Sequence, residues 1–264
     1  MKFFDTHAHY TDDRFEEEYE GGASALLDYL FTNGVERIVN IGITPENSVK
    51  VCEQAAKYPN MYAAVGIHPS DCVDIDDIDL AVEKITSLLE RKEELKIVAL
   101  GEIGLDYYWD NDHHEKQKDF LHRQLKLAEK FDLPVIIHDR DAHGDCFDAV
   151  MQYPSLKGVF HSYSGSAEMA QDLIRRGWYI SFSGVVSFKN AKKIKEVAKI
   201  VPRDRILIET DAPYLTPHPF RGKMNRSDYL FYTLSALAEI RNEDPEELAE
   251  AILHNSFAFF NKKI

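Results

Sequence analysis

The chain has 264 residues, 44% apolar and 11% aromatic, enough to fill a buried core and to exclude intrinsic disorder. Its 45 acidic against 31 basic side chains give a formal net charge of −14, which excludes capture of nucleic acid by a broadly basic surface but not local contact through metals and a few cations. Cys52, Cys72 and Cys146 are scattered, odd in number and outside any C-x-x-C pair, which excludes a disulfide scaffold and a thiolate metal site and suits a reducing compartment.

The apolar stretch at Met1–His7 is too short for a signal peptide, and no later run approaches the roughly 18 apolar residues of a membrane span. The expectation is a soluble cytoplasmic protein with no membrane contact and no obligate protein partner. Eight short β-branched or aromatic runs then alternate with longer helical stretches. The runs are residues 3–7, 37–41, 62–66, 97–101, 134–138, 158–161, 178–182 and 205–209. They are near-continuously apolar, as parallel strands covered on both faces require. Residues 81–94 and 115–131 carry apolar side chains at helical spacing among charges. Asp244-Pro245-Glu246-Glu247 reads as a helix start, with a cap, a proline in the first turn and acids at the positive end of the dipole. No linker or repeat interrupts the pattern. The expected fold is therefore a single α/β domain over 1–264, a (β/α)8 TIM barrel with its site at the C-terminal ends of the strands. A doubly wound open sheet is the competitor, but it carries a Gly-rich turn after its first strand, where this chain has His7-Ala8-His9.

His7 and His9 are two apart on the first strand, so both imidazoles face one side and can converge on one ion. Glu102 follows the fourth strand, His138 ends the fifth, His161 ends the sixth and Asp211 lies just past the eighth. Ionisable side chains are poor barrel filling unless paired or metal-bound, so this recurrence at strand ends points to chemistry. Four histidines and two carboxylates suffice for two divalent ions with one carboxylate bridging, and Asp211 can both ligate and act as general base.

Several segments together resemble the TatD-related DNase family of the amidohydrolase superfamily. They are Phe4-Asp5-Thr6-His7-Ala8-His9, Gly66-Ile67-His68-Pro69, the Gly101–Tyr108 run, and Leu133–His138 followed by Arg140. His161–Gly165, Glu209–Leu215, and Arg221-Gly222-Lys223 with Asn225 complete the set in order along nearly the whole chain. The resemblance implies a TIM barrel and metal-dependent hydrolysis of phosphodiester bonds in DNA by a metal-activated water, 3′ to 5′ on single-stranded or frayed ends. It implies that His7, His9 and Asp211 hold one metal and His138 and His161 the other, with Glu102 between them. Zn, Mg and Mn all suit such ligands.

Glu209 shares a strand face with Asp211, and either orients a ligand histidine or touches a metal. Asp5 is in phase with His7 and is read as a supporting or interior residue. His68 is the best remaining candidate for a phosphate contact, joined by Arg140, Arg221 and Lys223 as cations near the site. Arg226 is read as a solvated charge. Tyr107, Tyr108 and Trp109 follow Glu102 closely and offer either a stacking surface for a base or a packed loop. His113, His114, His122, His143, His218 and His254 are read as surface or structural. Two alternatives remain: a hydrolase of small esters, lactones or amides on the same barrel, and a non-catalytic scaffold. Related barrels often bridge their metals with a carboxylated lysine, and Glu102 at the fourth strand favours the nuclease. The scaffold is disfavoured because all six ligands are present.

Overall fold

The structure, a computed structural model, describes residues 1–110 and 112–261. Its strands are β1 (Phe3–Ala8), β2 (Val35–Ile41), β3 (Met61–Val65), β4 (Ile97–Asp106), β5 (Val135–Arg140), β6 (Gly158–Phe160), β7 (Tyr179–Phe182) and β8 (Ile206–Ile208). They are neighbours in the order β1 to β8. The helices are α1 (Arg14–Glu18), α2 (Gly22–Thr32), α3 (Pro45–Lys57), α4 (Pro69–Cys72), α5 (Ile78–Leu89) and α6 (His114–Phe131). They continue as α7 (His143–Met151), α8 (Ala167–Arg175), α9 (Lys192–Ile200), α10 (Leu230–Arg241) and α11 (Pro245–Phe259). Parallel strands with helical crossovers make the fold class the expected (β/α)8 TIM barrel.

Boundaries move where side chains dictate. β4 runs on to Asp106, so Glu102 lies inside a strand rather than after one. His138 likewise lies within β5, while His161, Glu209 and Asp211 fall just beyond β6 and β8. The helix expected at 81–94 begins at Ile78 because the Asp77 side chain accepts from the Leu80 amide at 2.9 Å. The Asp244 cap forms as read, one oxygen accepting from the amides of Glu246 at 2.9 Å and Glu247 at 3.0 Å.

The chain falls into two compact units, Met1–Asn40 with His161–Ile264, and Ile41–Phe160. In the first, β7 pairs with β8 and β1 with β2, all parallel, and Ala8 bridges to Ala212. All six β1 side chains are buried. Phe4 packs on Phe257 and Phe260 at 5.2 and 5.4 Å between centroids, which seats α11 against β1. Thr6 Oγ1 donates to Ile208 O at 2.9 Å. In the second unit β3, β4, β5 and β6 pair in parallel, and all ten β4 residues are buried. Two glutamines seven apart on α6, and so on one face, are wholly buried. Gln124 brackets Ile67, accepting from its N at 2.7 Å and donating to its O at 3.1 Å, and Gln117 brackets Asp106 at 2.8 and 3.0 Å. Each buried bond is worth about 1 kcal/mol, and the two clamps fix the backbone beside His68 and at the end of β4.

Candidate metal centre

In the first unit, β1 carries His7 to the edge of the strand and His9 just past it. Their Nε2 atoms stand 3.1 Å apart, and Asp211 Oδ1 lies 3.4 Å from the first and 3.2 Å from the second. A neutral imidazole has one N–H, so two ring nitrogens facing each other beside a carboxylate form the arrangement a cation organises. Asp211 sits in the left-handed region at φ 58, a conformation Asp tolerates, fixed by its N–H on His7 O at 2.9 Å and its carbonyl receiving Tyr214 N at 2.8 Å. Asn225, wholly buried, braces the same loop by donating to Thr210 O at 2.8 Å and Tyr214 O at 2.7 Å. Burial would raise the Asp211 pKa, but the His9 bond and the neighbouring imidazoles outweigh it and hold the carboxyl below its usual range.

His161 stacks on His7 with ring centroids 4.2 Å apart. Its Nδ1 meets Glu209 Oε1 at 3.1 Å; the same oxygen accepts from Ser162 N at 2.7 Å, and Glu209 Oε2 accepts from Ser181 Oγ at 2.6 Å. Glu209 thus holds His161 and its loop through Oε1 and is itself anchored to β7 through Oε2. Asp5 serves as a similar brace under His7. One oxygen accepts from Thr210 N (3.0 Å) and His7 N (3.3 Å), the other from Thr210 Oγ1 and Ser227 Oγ (2.6 Å each). Burial pushes Asp5 up to about 6 against those bonds.

The second unit holds its own cluster. His138 Nδ1 lies 2.7 Å from Glu102 Oε1, and His68 Nε2 lies 3.5 Å from that oxygen. The two histidine rings meet edge-on at 4.4 Å. Burial and the nearby His138 lower the His68 pKa, which favours the neutral imidazole, the form that ligates metals. His138 Nε2 is 3.0 Å from Asp106 Oδ2. Asp106 was given no role from the sequence. The available signal is parity: Glu102, Gly104 and Asp106 alternate along one face of β4. Gly104 is small for a stated reason, since a Cβ there would lie 1.9 Å from His138 O.

His7, His9 and Asp211 offer donor atoms all within 4.8 Å of one another, and so do His68, Glu102 and His138. Imidazole with carboxylate fits Zn, Mn or Fe and, with more carboxylate and water, Mg. Of the remaining predicted contacts, Arg140 shares β5 with His138, and Arg221 and Lys223 belong to the first unit. Arg140 rests on the rings of Tyr108 and Trp109, Arg221 on Phe188, and Lys223 beside Phe220. Arg226 is not the solvated charge expected: its half-buried guanidinium pairs with Asp228 at 2.7 and 2.6 Å and lies against the rings of Tyr29 and Tyr229. Tyr107 is a packed residue, its hydroxyl on Asp145 at 2.7 Å and its ring on His114. His113, His122 and His143 pair with Asp110, Tyr153 and Asp139.

The family model of TatD related DNase matches residues 4–261. An uncharacterized metal-dependent hydrolase of Bacillus subtilis (strain 168), YabD, is 40% identical over 259 residues, covering 97% of this chain and 98% of its own. YjjV of Escherichia coli (strain K12), also an uncharacterized metal-dependent hydrolase, is 34% identical over 98% of each chain. The crystal structure of that TatD homologue superposes with a TM-score of 0.90 at 33% identity, covering 99% of this chain and 98% of that one. The likeness extends from the first strand to the last helix, and the chain belongs to the TatD-related DNase family of metal-dependent hydrolases.

Proposed function

We propose that the chain is a deoxyribonuclease that uses two divalent ions and removes nucleotides from the 3′ ends of single-stranded or frayed DNA in the cytoplasm. The observation that carries this reading is the pair of ligand clusters, His7–His9–Asp211 and His68–Glu102–His138, each with its donors already converged. Divalent ions held there supply a water of lowered pKa and polarise a phosphoryl oxygen. Asp211, ionised and braced by Asn225, takes up the proton of the attacking water. Glu209 keeps His161 in one orientation and Asp106 does the same for His138, as carboxylates do for ligand histidines. Arg140 is the candidate to meet the substrate phosphate, with Arg221 and Lys223 as further cations, while His68, held neutral, is kept for the Glu102–His138 cluster. A net charge of −14 fits contact over a few nucleotides better than wrapping of a duplex. A location inside the cell fits three buried free cysteines. No described helix is long and apolar enough to cross a membrane.

The test is a metal series on single-stranded DNA labelled separately at its 3′ and 5′ ends. Mononucleotide release from the 3′ end with Mg²⁺, Mn²⁺ or Zn²⁺ is expected, and chelation should abolish it. Intact DNA under all three ions, beside hydrolysis of small esters in a parallel assay, would overturn the nuclease reading.

A further inference from the structure

Tyr108 and Trp109 are the largest exposed aromatic surface of the second unit. Their relative exposures are 52% and 68%, although Trp is among the costliest side chains to leave in water. They meet at right angles, centroids 4.9 Å apart, and the Arg140 guanidinium lies 4.1 Å from the Tyr108 ring and 5.3 Å from that of Trp109. Arg140 is itself exposed, and no carboxylate of the described residues pairs with it, in a chain where acids outnumber bases. The group is not a loose loop. Asp106 Oδ1 accepts from the amides of Tyr108 and Trp109, both at 3.0 Å, while its other oxygen meets His138. Arg140 stands two residues beyond His138 on β5 and its carbonyl receives Tyr107 N at 2.9 Å. Aromatic faces, a cation and the ligand histidine therefore share one carboxylate and one strand pair.

We propose that Trp109, Tyr108 and Arg140 form a platform that seats an unpaired nucleobase, with Arg140 meeting the adjoining phosphate. The proposal rests on the nuclease reading for its biological sense. A base in a duplex hides both faces in its neighbours and cannot use such a surface, whereas an unstacked base gains by covering an exposed ring. The unneutralised guanidinium favours a phosphate-bearing ligand over an acidic-surface-avoiding or purely apolar one. Fixed through Asp106, the platform sets how far a seated nucleotide lies from the Glu102–His138 cluster, and so makes single-strandedness a condition of productive binding.

The test uses the full chain and an oligothymidylate with phosphorothioate linkages. Of the two tryptophans, Trp178 is 2% exposed, so fluorescence quenching on titration reports Trp109. Saturable quenching is expected, and Arg140→Ala should weaken it. In steady-state cleavage, Trp109→Ala should raise KM about tenfold while Trp109→Phe restores most of the loss. The penalty should shrink to less than about twofold on an oligonucleotide lacking the base that stacks, because removing either partner removes the same contact. Absence of quenching, or a Trp109→Ala protein with the parental KM, overturns the platform. A parental protein that cuts no DNA but is quenched overturns the nuclease reading alone.

Discussion

Asp106 reaches His138 with one carboxylate oxygen, at 3.0 Å from Nε2, and keeps its other oxygen for two backbone amides. Burial would raise its pKa, but the His138 bond and the Trp109 and Tyr108 amides prevail and keep it ionised. Such a carboxylate behind a ligand histidine fixes the ring and increases its basicity. Asp106→Asn should therefore weaken metal binding at the Glu102–His138 cluster by about tenfold or more, read by competition with a chromophoric chelator. An unchanged affinity would show that His138 needs no such support.

The loop carrying Asp211 should depend on Asn225. Asn225→Ala leaves the buried Thr210 carbonyl, and the Tyr214 carbonyl as well, without that donor. A loss of about 2 kcal/mol is expected, measured as a shift of the urea midpoint. Occupancy of the His7–His9 ion, assayed by metal analysis, should fall with it.

Gly104→Ala is expected to cost about 3 kcal/mol or more, because the added methyl meets backbone at 1.9 Å rather than a movable side chain. The displaced atom belongs to His138, so whatever folded protein survives should also carry less metal. Thermal denaturation and metal analysis of one preparation check both.

The cysteines predict an unusual pH response. Burial pushes the thiols of Cys52 and Cys72 up to about 12 and raises that of Cys146 as well. A raised thiol pKa means that folding favours the protonated form. That contribution is complete below the ordinary value of 9.0 and is lost as pH climbs from there towards 12. Between pH 7 and 9 the native protein should therefore stay inert to a thiol-reactive disulfide reagent, whereas three equivalents react in denaturant. Rapid native labelling at pH 9 would contradict this.

The strands were readable because each is a short apolar run, and the candidate ligands stood out because His7, His9, Glu102, His138, His161 and Asp211 are hard to explain as filling. What the sequence concealed depends on pairings far apart in the chain. The bonds Glu209 makes to Ser162, Ser181 and His161 could not be read from the chain, because those residues lie 28 to 48 positions away from it. Tyr107, Tyr108 and Trp109 read alike as letters, yet the first is packed on His114 and the other two are exposed. Asp106 was hidden because β4 was read as ending at Gly101, which placed that carboxylate in a loop and removed its phase relation to Glu102.

The division of the chain has a temporal consequence. Residues 41–160, with Glu102, His138 and Asp106, form an unbroken stretch that leaves the ribosome as one piece. The other cluster joins His7 and His9 of β1 to Asp211, far along the chain, and is braced by Asn225 and Ser227. All the residues of the His68–Glu102–His138 cluster are therefore present once residue 138 has been made, well before Asp211. The His7–His9 pair cannot meet Asp211 until the roughly two hundred residues between them have been added.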